Sequence, residues 1–369
     1  MHERSGYGVA ARRLAIALRH EGVPLSYVPM IGGKVSDLWY QPFNGRSIGE
    51  PDLDPICNLP IEYDTNVVFM VPEYLVRFRT EEPDRTLVAC TVWETDRLPH
   101  HWAVGLEMAD HIVVPCTWNQ RVFEQRGLTP RVSVLPHVAR DGREAPRRKD
   151  WGVPTDDFVF YCIEVWSDRK ALSELLHTYL RTFTAKDPVT LILKTTAEDF
   201  TRQNWFGFRS RTIDVVKRIA RFYPNPARVR VITESLSEDD MILLHGRGDC
   251  YVSLSRGEGW NLGAFDAATF GKPVIMTGFG GPLDYLPPEH SYLLDYEMTP
   301  VQCDAGKPSF TDDQLWAKAS TDHASARMRE VFENRDEARR RGAALREMIL
   351  AQFNERAVVT RFTQILDAL

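Results

Sequence analysis

The chain has 369 residues, of which 43% are hydrophobic and 26% charged; this is ordinary for a soluble globular protein and long enough for two domains with substantial cores. A formal charge of −6 argues against a dedicated nucleic-acid binder, no apolar run approaches the roughly 20 residues of a membrane span, and the opening MHERSGYG is no signal peptide. The six cysteines (Cys57, Cys90, Cys116, Cys162, Cys250, Cys303) show neither a CxxC pair nor zinc-ligand spacing, so a reduced, cytoplasmic chain without a structural metal is expected.

In chain order, SGYG at residues 5–8 reads as a glycine turn leading into an amphipathic helix from Val9 to His20. Such a turn normally follows a strand, and too few residues precede it here, so a first strand is expected to be missing. The helix sets Arg12, Arg13 and Arg19 beside Leu14, Ile16 and Leu18, which suits contact with anionic lipid at the inner membrane face as well as plain docking on a sheet. Apolar runs at 26–30, 66–71, 87–93, 111–115 and 133–135 read as strands of a first domain, residues 1–139. The charged stretch 140–150, with Pro146 and no apolar periodicity, reads as a linker. Runs at 158–165, 189–194, 229–233, 250–254 and 273–276 belong to a second domain, 151–345. Residues 336–350 and 357–369 are helical by periodicity, with Asn334 as a cap, and the terminal part, 346–369, is expected to cross back to the first domain. Strands alternating with helices imply an α/β fold: two Rossmann-like, doubly wound parallel-sheet domains with a ligand cleft at the carboxyl ends of the strands.

The most informative stretch is RGEGWNLGAFDAATFGKP, 256–273. A buried strand ends in glycines and opens a small-residue helix, which aims backbone N–H groups and a positive dipole end at whatever binds. Glu258 and Asp266 flank it, eight residues apart. Acids cannot hold a phosphate, so they are placed to accept hydrogen bonds from sugar or ribose hydroxyls. A second glycine turn, Gly278 to Gly281, follows the strand at 273–276. Cations stand at two neighbouring strand ends: Arg169 and Lys170 after 158–165, Lys194 at the end of 189–194. An Arg fork with Lys point charges suits a diphosphate.

GEGWNLGAFDAATFGKPVI followed by TGFGG resembles the donor-site signature of retaining glycosyltransferases of family four, which have the GT-B fold. SGYGVAARRLA resembles that family's N-terminal glycine loop, VVPCTWNQRVF its last N-domain strand and helix, VSVLPHVARD the approach to its linker, and EVWSDRKALSELL with TLILKT its basic diphosphate site. The resemblance spans nearly the whole chain, in order. It implies transfer of a hexose from a nucleotide-diphosphate sugar to a hydroxyl of a glycan, lipid-linked or small-molecule acceptor. Glu258 would contact the transferred sugar and Asp266 the ribose. Arg169, Lys170 and Lys194 would neutralise the diphosphate, and Gly8, Gly259, Gly280 and Gly281 would let backbone approach the donor. Trp260 would shape the pocket. On the acceptor side stand Trp93, Glu94 and Asp96, with Asp96 reaching the reacting sugar, whereas His100, His101 and His137 read as structural. No metal or cofactor is implied, because cations stand on the diphosphate.

Two positions depart from the pattern. Asp266 stands where the family usually has Glu, and Glu164 where it often has an Arg at a strand end. Glu164 is therefore expected to turn away or to pair with Arg169. A sugar-nucleotide epimerase or hydrolase on the same fold, and a non-catalytic sugar-nucleotide-binding protein, are the alternative readings. A dinucleotide oxidoreductase is disfavoured because no compact GxGxxG precedes an acid at the required distance.

Overall fold

Runs of β-branched and aromatic residues bounded by turns form the strands, and the periodic stretches between them form the helices. The computed structural model describes residues 5–35, 38–140, 149–201, 208–302 and 309–369. Most of the expected linker, 141–148, lies outside the described residues, as does Cys303. The chain divides into two compact units: Met1–Trp93, Arg97–Arg140 and Ala351–Leu369 make the first, Glu94–Asp96 and Asp141–Leu350 the second.

The first unit opens with α1 (Gly6–His20), capped by Ser5, whose Oγ accepts the Gly8 N–H at 3.2 Å. The glycine turn expected at 5–8 is thus the first turn of the helix itself, since the serine satisfies an otherwise open end donor. β1 (Met30–Val35) and β2 (Leu38–Pro42) form an antiparallel ribbon. The strand expected over 26–30 is reduced to one parallel bridge between Tyr27 and Cys57, and Pro29, which has no N–H to give, precedes β1. There follow β3 (Thr65–Phe69), α2 (Leu75–Glu81), β4 (Thr86–Cys90), α3 (Trp102–Leu106), β5 (His111–Val114), α4 (Thr117–Glu124) and β6 (Arg131–Val134). β3, β4, β5 and β6 lie side by side in that order, all parallel.

The second unit contains β7 (Phe158–Ile163), α5 (Leu172–Thr182), β8 (Val189–Lys194), α6 (Thr212–Ala220), β9 (Arg228–Ile232), α7 (Glu238–Arg247), β10 (Cys250–Ser253), α8 (Leu262–Thr269), β11 (Val274–Thr277) and β12 (Tyr292–Leu294). A ribbon of β13 (Tyr296–Pro300) and β14 (Leu315–Ala319) and the helix α9 (Thr321–Glu333) complete it. Its sheet runs β12-β11-β10-β7-β8-β9 with parallel pairing. The chain starts in the middle at β7, winds out to β9, then returns on the other side of β7, so the order reverses between β7 and β10. That reversal opens a crevice beyond the carboxyl ends of the strands. The sheet is covered on both faces, which is why β7, β8, β10 and β11 are nearly continuous apolar runs. Leu175, Leu176 and Tyr179 of α5 share one buried core with Leu191 and Leu193 of β8. Truncating Leu175 to alanine would cost about 2–5 kcal/mol.

α10 (Arg335–Gln352) follows α9 directly. Asn334 stands at the front of α10, its carbonyl accepting the Ala338 N–H, but its side chain serves α9: its backbone and side-chain N–H groups both donate to the Glu330 carbonyl. The last helix, α11 (Glu355–Asp367), belongs to the first unit. Its Val358, Val359 and Phe362 share a core with Leu14 and Leu18 of α1, Val88 of β4 and Val113 of β5. No helix among the described residues is long and apolar enough to cross a membrane.

Candidate active site at the strand ends of the second unit

β10, β7 and β8 are neighbours, so their carboxyl ends bring Ser253, Glu164 and Lys194 to one edge of the sheet at the point of reversal. The loop after β7 and the loop after β10 are sewn together there. Arg256 N–H donates to the Arg169 carbonyl at 2.7 Å, and the Arg169 guanidinium donates to the Gly257 carbonyl at 2.6 Å. A side chain at Gly257 would place its Cβ 1.9 Å from the Glu94 carbonyl oxygen, so only glycine lets these backbones meet.

Glu258 is the centre of this arrangement. It is 5% exposed, and three side chains hold it: Lys170 Nζ at 2.5 Å, Arg169 at 3.3 Å and the Ser255 hydroxyl, which donates to Oε1. Burial pushes its carboxyl up, but Lys170 and Arg169 outweigh burial and hold it below the usual glutamate range. Glu258 is therefore a carboxylate kept ionised by two cations. Arg169 also faces Glu94 at 3.4 Å; burial lowers its pKa, but Glu94 and Glu258 raise it above the ordinary value.

Lys194 has a different setting. Its Nζ touches the Thr195 carbonyl at 3.4 Å and forms no ion pair among the described residues. Burial lowers its pKa, with the more distant Glu234 opposing. The expected trio of cations is thus split between two that are committed to a carboxylate and one that is not.

Glu164 is closed off from solvent, with the Lys170 charge near enough to act on it. It is 7% exposed, and its Oε1 accepts from Ser253 Oγ at 2.8 Å and Asn261 Nδ2 at 2.6 Å. The expected pairing with Arg169 gives way to these two neutral donors. Asn261 sits in the left-handed region, φ 66°, and caps α8 by accepting the Ala264 N–H at 2.9 Å.

Asp266 lies on α8, 4% exposed, close enough to Tyr161 for its charge to raise that phenol's pKa after burial has done so. Trp260 is 3% exposed and packs against Phe265 and Tyr285, with ring centroids 5.1 and 4.9 Å away. Gly259 is buried beside it. Gly280 has φ +85°, and a Cβ there would sit 2.7 Å from the Glu258 carbonyl; the Gly281 N–H donates to that same carbonyl at 2.9 Å. The second glycine turn therefore supports the backbone of Glu258.

Of the acceptor-side residues, Glu94 and Asp96 group with the second unit and Trp93 with the first. The Asp96 carboxylate accepts the Leu315 N–H at 2.6 Å and its own N–H donates to the Leu315 carbonyl, which fastens the loop to the edge of β14. Trp93 is 2% exposed, its indole N–H donating to the Arg97 carbonyl and its ring edge-on to Trp102. Gly8 has its N–H occupied by Ser5 in α1. His101 meets Glu73 at the surface. Sequence reasoning missed Ser253, Ser255 and Asn261; the signal for the last was an asparagine just ahead of a small-residue helix. Among the described residues no group of three or more His, Cys, Asp or Glu side chains is placed to hold a metal.

No family model and no curated protein matches this chain. Solved structures do. Sucrose-phosphate synthase from Thermosynechococcus elongatus superposes with a TM-score of 0.65 at 14% identity, over 99% of this chain and 93% of that one. HepE of Anabaena, solved with UDP and glucose, gives 0.61 at 16% identity over 83% and 78%. TarM of S. aureus gives 0.57 at 12% over 79% of this chain, which spans about half (53%) of TarM's length. At such identities the likeness shows the fold. That fold is the GT-B architecture of two Rossmann-like parallel-sheet domains.

Proposed function

We propose that this chain is a retaining glycosyltransferase that moves a hexose from a nucleotide-diphosphate sugar to a hydroxyl of a glycan, lipid-linked or small-molecule acceptor. The observation that carries the reading is the cluster at the point of strand reversal, where ionised Glu258, its partners Lys170 and Arg169, and the ammonium of Lys194, with no ion pair among the described residues, come to adjacent strand ends. The likeness to HepE, solved with UDP-glucose, supports the donor class.

In this reading the diphosphate takes its countercharge from Lys194 and shares Arg169 and Lys170 with Glu258. Leaving-group stabilisation then comes from cations fixed before the substrate arrives, and those cost no reorganisation at the moment of reaction. Glu258 faces the transferred sugar and supports the positive charge that develops at its anomeric carbon. The acceptor hydroxyl attacks from the face the diphosphate leaves, and a phosphate oxygen takes its proton, so the protein supplies orientation and charge rather than a nucleophile. With cations in the metal's usual place, turnover is expected to proceed in EDTA. The enzyme works at the cytoplasmic side, with α1 as the element that would touch anionic lipid.

A thermal-shift screen of nucleoside diphosphates and their sugars, with and without EDTA, tests this. Stabilisation by one nucleotide series in EDTA, lost in Lys194→Ala, is the expected result. Product from a donor so identified should keep the donor's anomeric configuration by proton NMR. A shift with NAD(P) and none with sugar nucleotides would overturn the reading.

A further inference from the structure

An acid at Glu164 is unexpected in a site proposed to bind a diphosphate, and its contacts explain its presence. One oxygen, Oε1, accepts from Ser253 at the end of β10 and from Asn261 at the start of α8. These two residues bracket the segment that carries Glu258. From Ser253 the order continues inward: its Oγ accepts the Ser255 N–H at 3.1 Å, and Ser255 Oγ donates to Glu258. From Asn261 it continues outward: Oδ1 accepts the Ala264 N–H and meets the Tyr251 hydroxyl at 3.3 Å. Because Nδ2 of Asn261 is held by Glu164, Oδ1 has to face the helix, and the left-handed backbone at Asn261 is fixed with it.

We propose that Glu164 is a positioning residue of the donor site: its single accepting oxygen pins both ends of the 253–261 segment and so sets where Glu258 presents its carboxylate. This rests on the donor-site reading above. It departs from the expectation that an acid here would merely turn away.

The protonation of Glu164 follows from its surroundings. Oε2 is buried and has no hydrogen-bond partner among the described residues, a costly position for a charged oxygen. Around it stand Lys170, Arg169 and Glu258 with the thiol of Cys162 and the phenol of Tyr251. Burial raises its pKa, Lys170 opposes, and the neighbouring Glu258 raises it further. Cys162 and Tyr251 are both raised well above their ordinary values by burial, so they titrate later. A neutral Glu164 leaves Lys170 to Glu258; ionisation puts a second buried anion in competition for the same ammonium. A raised acid is fully in its favoured form below the ordinary glutamate value of 4.5 and loses that form as pH climbs through its raised folded value. Donor affinity should therefore fall on that rising limb.

The test compares wild type, Glu164→Gln, Glu164→Leu and Ser253→Ala in two measurements. In amide hydrogen exchange on unliganded protein, Glu164→Leu should accelerate exchange across 255–264, Ser253→Ala should do so less, and Glu164→Gln should stay near wild type, since the glutamine carbonyl still accepts. In donor titration against pH, Glu164→Leu should weaken binding roughly tenfold or more, the loss of an acceptor for two buried donors. Glu164→Gln should recover most of that loss and lack the wild type's fall in affinity on Glu164 ionisation, keeping only the separate decline that belongs to Lys194. Equal exchange in Glu164→Leu and wild type would overturn the positioning role, and so would a Glu164→Gln profile that is the same as wild type through the Glu164 titration. If wild type binds no sugar nucleotide, the donor-site reading falls, while the exchange measurement still decides the role of Glu164.

Discussion

The ends of β7 and β8 lie side by side and each offers positive charge, but they offer it differently. After β7, Arg169 and Lys170 are already matched to Glu258 and, for Arg169, to Glu94. At β8, Lys194 forms no ion pair among the described residues and pays in desolvation, its pKa lowered. Committed cations define a geometry: they hold a buried carboxylate in place and are held by it. An uncommitted, half-buried cation defines a demand that an incoming anion can meet. Side by side, the two supply order and affinity to one site.

The comparison breaks most sharply at Glu258. Glu258→Ala takes the carboxylate from Lys170 and leaves Arg169 with Glu94 alone, and removing one partner of a buried pair costs about 3–5 kcal/mol. Glu258→Ala should therefore melt well below wild type in calorimetry as well as lose turnover. Glu258→Gln, which keeps the shape and some hydrogen bonding, should regain much of the stability and little of the activity. A melting temperature unchanged in Glu258→Ala would mean that the pairing with Lys170 and Arg169 is not holding the loop.

Lys194→Ala should do the reverse. It removes a desolvated charge that forms no ion pair among the described residues, so stability should stay within about 0.5 kcal/mol of wild type or rise. Donor binding should weaken roughly tenfold or more, because a charge-assisted contact to phosphate is lost. Parallel calorimetry and donor titration would show the dissociation of the two effects. A large loss of stability here would erase the distinction between committed and uncommitted charge.

This distinction was only half legible in the sequence. The parallel strands β7, β8 and β10 were readable as short apolar runs, and so were the cations and acids at their ends, because a strand buried on both faces permits little else. What could not be read was which charge meets which. Lys170 and Glu258 are 88 positions apart, and only the reversal of strand order brings them together. Glu164 was visible as an anomaly, but its partners Ser253 and Asn261 were not, since serine and asparagine beside a turn carry no mark of what their side chains will bond. Asp96 shows the same limit: nothing in its surroundings along the chain marks its hold on the β14 backbone, a partner 219 positions on. The β1–β2 and β13–β14 ribbons were missed altogether; each is a two-stranded antiparallel pair apart from the parallel sheets.

Titration sharpens the comparison further, with opposite signs at the two strand ends. Glu258 is depressed, so its contribution to stability is complete above the ordinary value of 4.5 and is lost as pH falls through its lower folded value. Lys194 is depressed from 10.5, so the unfolded chain binds that proton more tightly, and folding gains as pH rises through the lowered value. Donor affinity should decline over that same alkaline range as the ammonium loses its charge. Melting temperatures and donor constants measured in parallel across pH should thus diverge at the alkaline end, and Lys194→Ala should abolish the divergence.

The smallest effect is expected at Asp96, where the second unit fastens its 94–96 loop. The carboxylate accepts one backbone N–H from Leu315, and asparagine can accept it equally well through its amide oxygen. Asp96→Asn should then cost almost nothing in stability, whereas Asp96→Ala should cost about 1 kcal/mol, the worth of one such hydrogen bond. If Asp96 also touched the reacting sugar, asparagine would lower turnover far more than it lowered the melting temperature. Kinetics of Asp96→Asn against its thermal stability separate the clamp from the contact: equal, small changes assign Asp96 to the loop, and a lone fall in kcat returns it to the chemistry.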